Sequence, residues 1–183
     1  MATSTPWGTS QLADKVCRGI IFYSTAGHGG YHVSKTLNQK IHESLRLRDG
    51  WYEEDCDWAI VVFSFPHLFK PQTVEQAIRI LKSYYPDEYE AITEQKIAPG
   101  ESRTRDEKTF YENHQNDFIV TAAWGHWHDS VPANFVATAA VRGLDKSCGE
   151  TKYFLVPKDE YQAKRDFAFV IDPGRHREIE PIR

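Results

Sequence analysis

Two short stretches hold most of the side chains that could do chemistry. The first, Ser24-Thr25-Ala26-Gly27-His28-Gly29-Gly30-Tyr31-His32-Val33-Ser34, puts three glycines, hydroxyls and two imidazoles into eleven residues. Glycine lets a backbone turn sharply or approach another group closely. The amides of such a turn can form a concave anion-binding nest, with Thr25, His28, Gly29 and Gly30 as its candidates. The plain alternative is a packing corner whose glycines take positive φ. The stretch is not a Walker loop, because the terminal Gly-Lys-Ser/Thr is absent, and glycines at 27, 29 and 30 do not match the dinucleotide fingerprint. The second stretch is Trp124-Gly125-His126-Trp127-His128-Asp129. On an extended backbone His126 and His128 share a face, a workable spacing for two metal ligands. Asp129, or a distant His28, His32 or His114, would complete the set. Otherwise they are two polar histidines in a hairpin loop flanked by aromatic packing.

Two charged clusters follow. Glu53-Glu54-Asp55, with Asp57 nearby, could hold a divalent cation or supply a general base. Consecutive carboxylates on a helix diverge, so the competing reading is a solvated helix start that complements the dipole. Arg103 and Arg105 could clamp a phosphate or carboxylate, or be neutralised by the carboxylates around them. Asp172-Pro173-Gly174-Arg175-His176 is a turn by composition, and its Arg and His could reach a site. Ser24 beside His28 does not make a triad, which is a spatial arrangement rather than a sequence neighbourhood.

The elements that must position these groups follow from pattern. Residues 1–15 read as a lead-in, and Val16 to Tyr23 as a largely buried strand. Ser34 is placed to cap a helix carrying Leu37, Ile41 and Leu45 on one stripe. Trp51 to Phe65 predicts a second helix, with Trp58, Val61, Val62 and Phe65 at helical spacing and Pro66 as its stop. A third starts near Pro71, with Val74, Ala77, Ile78 and Leu81 inward, and Pro86 marks its end or a kink. Residues 87–95 add a turn or two of helix, and Ile97 to Thr109 is a loop leading into a short helix. Asp117 to Trp124, Asn134 to Arg142, Lys152 to Val156 and Phe167 to Ile171 read as strands, with a short helix over Lys158 to Lys164. The expectation is α+β: one domain over 1–183, its antiparallel sheet assembled from the N-terminal strand and the C-terminal ones and packed against about three helices.

Composition narrows the class. The chain has 183 residues, 40% hydrophobic and 26% charged, enough for an ordinary core, with an aromatic share of 13% that can supply bulk or a binding surface. A net charge of -4 argues against a general nucleic-acid binder. Cys17, Cys56 and Cys148 form no pair pattern, which fits a reducing cytoplasm. No signal sequence is evident at Met1 to Pro6, and the longest apolar run is too short to span a bilayer.

The chain resembles an uncharacterised domain family found in bacteria, their phages and plasmids. The resemblance rests on Trp7-Gly8, Ser24-Thr25 with His28-Gly29-Gly30, and Trp51-Tyr52-Glu53-Glu54-Asp55 with Asp57-Trp58. It continues through Pro99-Gly100-Glu101-Ser102, Ala122-Ala123-Trp124, Phe154-Leu155-Val156-Pro157 and Phe169-Val170-Ile171-Asp172-Pro173 with Arg175-His176. Gly27 stands where the family pattern has a serine, so a hydroxyl role at that position does not carry over. The resemblance implies a mobile-element setting, where small proteins interfere with host defence. The leading expectation is an interaction protein without a cofactor, which blocks a host protein or protein complex in the bacterial cytoplasm. Trp51, Tyr52, Glu53, Glu54, Asp55 and Trp127 are its candidate contacts. The rival is a small metal-dependent or phosphate-directed hydrolase. It would use a divalent metal on His126 and His128, with His28 and Glu54 as candidate catalytic residues. A nucleic-acid module built on Arg103, Arg105, Arg175 and Arg177 has the net charge against it.

Overall fold

The structure is a computed structural model and describes residues 3–143, 150–163 and 167–182. Cys148 and the end of the expected helix at Lys164 lie outside these residues. The chain divides into two compact units, Met1–Arg105 and Asp106–Arg183. The class is α+β, with antiparallel sheets and six α-helices among the described residues. In place of one shared sheet, each unit has its own. The N-terminal strand pairs only with its sequence neighbours, and the C-terminal strands pair with one another.

In the first unit the expected lead-in is structured. Strands β1 (Ser4–Thr5) and β2 (Gly8–Thr9) form a small hairpin, followed by β3 (Leu12–Cys17). Strands β4 (Ile20–Ser24), β5 (Gly29–Val33) and β6 (Trp51–Glu53) complete a sheet ordered β3-β4-β5-β6, antiparallel throughout. The registers Ile20↔Val33, Phe22↔Tyr31 and Tyr31↔Tyr52 put these residues on the inner face. That face packs on helices α2 (Trp58–Ser64), α3 (Pro71–Tyr84) and α4 (Pro86–Thr93) through Ile60, Val61, Val62, Phe65, Ala77, Leu81 and Tyr89. Pro71 and Pro86 each sit in the first turn of their helix, where a missing N–H costs nothing.

Two helix expectations change. The helix after Ser34 is one turn, α1 (Lys35–Asn38). Beyond it Ile41 and Leu45 are still buried, but on a coiled segment. Its carbonyls are satisfied by side chains: Arg46 donates to Gln39 O and Ile41 O, and Asn38 Nδ2 to Leu47 O. The helix expected over Trp51 to Phe65 begins only at Trp58, because Trp51, Tyr52 and Glu53 are taken up as the sheet's edge strand.

Helix α5 (Arg103–Asn113) runs from the end of the first unit into the second. The second unit's sheet is ordered β10-β9-β8-β7, from β7 (Phe118–Trp124), β8 (Phe135–Arg142), β9 (Thr151–Pro157) and β10 (Arg177–Ile179). Between its exposed ends, Phe135 and Arg142, β8 is buried on both faces. Phe118, Ala140, Phe154, Val156, Phe169 and Ile171 pack on one side, with Tyr161 of α6 (Lys158–Ala163) against them. Val131, Ala137 and Leu155 pack on the other. The strand expected over Phe167 to Ile171 reduces to a single bridge, Val170 to Ile119. Among the described residues no helix is long and apolar enough to cross a membrane.

Candidate functional site

The glycine stretch is a hairpin, not an open nest. Ser24 pairs with Gly29, and Thr25 to His28 close the turn on themselves. Thr25 N donates to His28 O at 2.7 Å, Thr25 Oγ1 donates to the same oxygen at 2.8 Å, and His28 N donates to Thr25 Oγ1 at 3.1 Å. Gly29 and Gly30 belong to β5, and neither takes positive φ. The anion-nest expectation for Thr25, His28, Gly29 and Gly30 is therefore corrected: the backbone here is committed to strand pairing and a self-closed turn.

Close approach explains the two strand glycines. A Cβ at Gly30 would meet the Trp7 ring and the Tyr52 carbonyl, and one at Gly29 would lie 2.6 Å from Glu54 Oε2 and 3.0 Å from Tyr23 O. The flat spot thus takes an indole on one side and a carboxylate on the other. Trp7 is delivered by the β1–β2 hairpin, where Thr5 Oγ1 donates to Gly8 O and accepts from Trp7 N. It meets Trp51 edge-on at 5.7 Å between ring centres, and Trp51 also contacts Tyr23 at 5.5 Å and His32 at 4.5 Å. The register Tyr23↔Gly30 and His32↔Trp51 puts this cluster on the outer face of the sheet.

At that end of the sheet three side chains converge. His28, Glu53 and Glu54 each offer a ligand atom, all within 4.8 Å of one another, and this is the one such trio of His, Cys, Asp or Glu among the described residues. His28 Nδ1 lies 3.7 Å from Glu53 Oε1. The divergence expected of consecutive carboxylates does not apply as a helix argument, since Glu53 ends a strand and Glu54 N continues its ladder to Gly29 O at 3.1 Å. One imidazole and two carboxylates suit a borderline divalent cation with open positions left for water. Cys56, next along, is no activated nucleophile: burial first, then the charges of Asp57, Asp55 and Glu53, push its thiol up.

The remaining candidates separate. Tyr52 is fully buried, its hydroxyl donating to Asn38 Oδ1 at 2.6 Å and accepting from Leu47 N at 3.1 Å, so it is removed from the contact list. Asp55 is exposed, its amide donating to Glu53 Oε2. Arg105 is engaged by Glu90 at 2.9 Å and Asp87 at 2.5 Å, which corrects its reading as an anion clamp. Arg103 opens α5, its amide donating to Ser83 Oγ. His126 and His128 lie in a turn, with His128 N donating to Gly125 O, so the extended geometry that would align them is not formed. His126 instead lines a cleft of about 330 Å³ with Phe135, Lys158 and Tyr161. Trp127 is 69% exposed. His114 pairs with Asp117. Buried His176 accepts from Asp172 N at Nδ1, which leaves Nε2 to donate to Glu160, and Arg175 binds the same carboxylate.

Sequence reading gives Trp7 and Tyr23 no part in the site, and offers His32 only as a distant ligand for the His126/His128 pair. Tyr23 and His32 stand opposite Gly30 and Trp51 in the registers of three strands, which local pattern does not encode. The chain belongs to the family DUF7007, a domain of unknown function, whose model matches residues 1–115. No curated protein and no solved structure matches it.

Proposed function

We propose that the first unit is a protein-binding module whose contact surface is the corner formed by Trp51, Glu53, Glu54, Asp55 and His28. One observation carries this reading. Trp51, braced by Trp7, Tyr23 and His32, lies half-buried on the outer sheet face beside exposed carboxylates. A rigid aromatic loses little freedom on docking, and neighbouring charge selects a partner with a basic surface. Trp127, in the other unit, is a second exposed aromatic contact. We infer further that the protein is an accessory of a bacterial mobile element, acting in the host cytoplasm on a defence or nucleic-acid-processing machine. The motif resemblance to bacterial, phage and plasmid proteins supports that setting. The test compares partners crosslinked in a bacterial host by the wild type, by Trp51→Ala, and by the triple reversal Glu53→Lys, Glu54→Lys, Asp55→Lys. Both variants should remain folded at the assay temperature, Trp51→Ala with a lower melting temperature because its ring contacts are lost, and both should lose the same partner. Unchanged recovery would sink the reading.

The convergence of His28, Glu53 and Glu54 favours a second reading, a metal-dependent hydrolase centred on this corner in place of the His126/His128 pair. The chemistry supplied there would be activation of a water, with a neighbouring carboxylate taking its proton. Calorimetric titration with Mn2+ or Zn2+ decides it: binding abolished by His28→Ala supports this reading, and absence of binding up to millimolar metal removes it.

A further inference from the structure

A cleft of about 480 Å³ opens in the first unit, lined by Cys17, Arg18, Leu37, Lys40, Ser64, Phe65, His67 and Leu68. Its floor is apolar. Phe65 is buried in the core, and Leu37 and Leu68 pack against that core while keeping part of their surface open. Its rim is basic. Arg18 follows the end of β3, Lys40 follows α1, and His67 lies in the 3-10 turn Pro66–Leu68. Among the described residues no carboxylate lines it.

Several other cations of the unit are held in ion pairs. Lys82 pairs with Glu101, Lys96 with Glu90, and Arg105 with both Glu90 and Asp87. Among the described residues, the side chains of Arg18, Lys40 and His67 have no ion pair and no hydrogen bond. Two cations and an imidazole that line one cleft with an apolar floor, without a counter-charge, leave room for an anion that brings its own apolar body. A guanidinium and an ammonium bind carboxylate or phosphate oxygens, and the volume falls in the range of small-molecule pockets.

We propose that this cleft binds a small anionic amphiphile, a molecule with one carboxylate or phosphate group on an apolar body. The head group sits between Arg18 and Lys40, with His67 and the Ser64 hydroxyl as further partners. The apolar body lies on Leu37, Phe65 and Leu68. This site is separate from the acidic corner and does not depend on the reading given to it.

Cys17 supplies a built-in reporter, because it lines the cleft and is only partly buried. Cys56 does not line it and serves as the internal control. The full-length protein is alkylated with iodoacetamide, and each cysteine is followed by peptide mass spectrometry. The probes are octanoate and octyl phosphate below their micelle concentrations, octanol, and inorganic phosphate. Octanoate or octyl phosphate should slow alkylation of Cys17 and leave Cys56 unchanged. The more protective of the two identifies the head group. Octanol and inorganic phosphate should protect weakly. Arg18→Gln with Lys40→Gln should raise the protecting concentration by about tenfold or more, the loss expected for a charged hydrogen-bonding partner. In the wild type, added salt should raise it as well. Both substituted residues are exposed, and an unchanged melting temperature confirms that the variant is folded. Equal protection by octanol, equal protection by inorganic phosphate, equal slowing at Cys56, or an unchanged affinity in the double variant each overturns the proposal.

Discussion

Replacing Gly30 with alanine adds one methyl group to the most crowded point of the first sheet. The new Cβ would run into the Trp7 ring and the Tyr52 carbonyl at once. The indole can swing away, but the carbonyl cannot, because Tyr31↔Tyr52 pairing fixes it in the β5–β6 ladder. Overpacking of a filled site costs about 1–3 kcal/mol. Displacing Trp7 from its edge-on contact with Trp51 adds about 0.5–1.5 kcal/mol beyond lost area. Stiffening of the unfolded chain returns about 0.4–1 kcal/mol. The expected net loss is about 2–3 kcal/mol. Gly27→Ala is the control, since nothing lies within 4 Å of its Cβ position. It should be neutral or stabilising by up to about 1 kcal/mol. Urea denaturation followed by tryptophan fluorescence gives the free energies, and near-ultraviolet circular dichroism reports the Trp7–Trp51 pair. In Trp7→Ala the ring is gone and only the carbonyl clash remains. Adding Gly30→Ala to that background should therefore cost about 1 kcal/mol less than in the wild type. The reasoning fails if Gly30→Ala is as stable as Gly27→Ala, or if its cost is the same with and without Trp7.

Tyr52→Phe removes a buried hydroxyl that joins Asn38 Oδ1 to Leu47 N, and should cost about 1–3 kcal/mol in urea denaturation. A cost under about 0.5 kcal/mol would show that this bridge is dispensable. Arg105 first, then the Ile97 amide and Lys96, hold the Glu90 carboxyl down to about 2. Its folded pKa lies below the unfolded value, so its contribution is complete above pH ~4.3 and is lost as pH falls toward 2. The melting temperature of the wild type should therefore fall across that window more steeply than that of Glu90→Gln. Parallel curves would refute the linkage.

Helix α3 was legible in the sequence because Pro71 and the stripe Val74, Ala77, Ile78 and Leu81 point to the same element. The strands β7, β8 and β9 were legible because apolar runs bounded by turn residues leave little else for them to be. β3 was not. Its residues Leu12-Ala13-Asp14-Lys15 are exposed on a sheet edge, so no burial imprints alternation on them. β6 was hidden by the helical spacing that begins at Trp58, which extends backwards over Trp51 without contradiction. The separation of the sheets was hidden too, since pairing partners are set by long-range register. At the corner, the structure brings together parts of two stretches that the sequence singles out, 24–34 and 51–55, by a route that the sequence does not show. The glycines looked like a flexible turn and the carboxylates like a helix start. Adjacent strands bring them together, through the pairing of Gly30 with Glu53.

Trp7 and Gly30 are twenty-three positions apart, yet they occupy one volume. A lineage can enlarge residue 30 only after residue 7 has become smaller, and a large ring at 7 holds 30 at glycine. Across related chains a residue other than glycine at 30 should occur only where residue 7 is smaller than tryptophan, whereas Gly27, with open space around it, should vary independently of both.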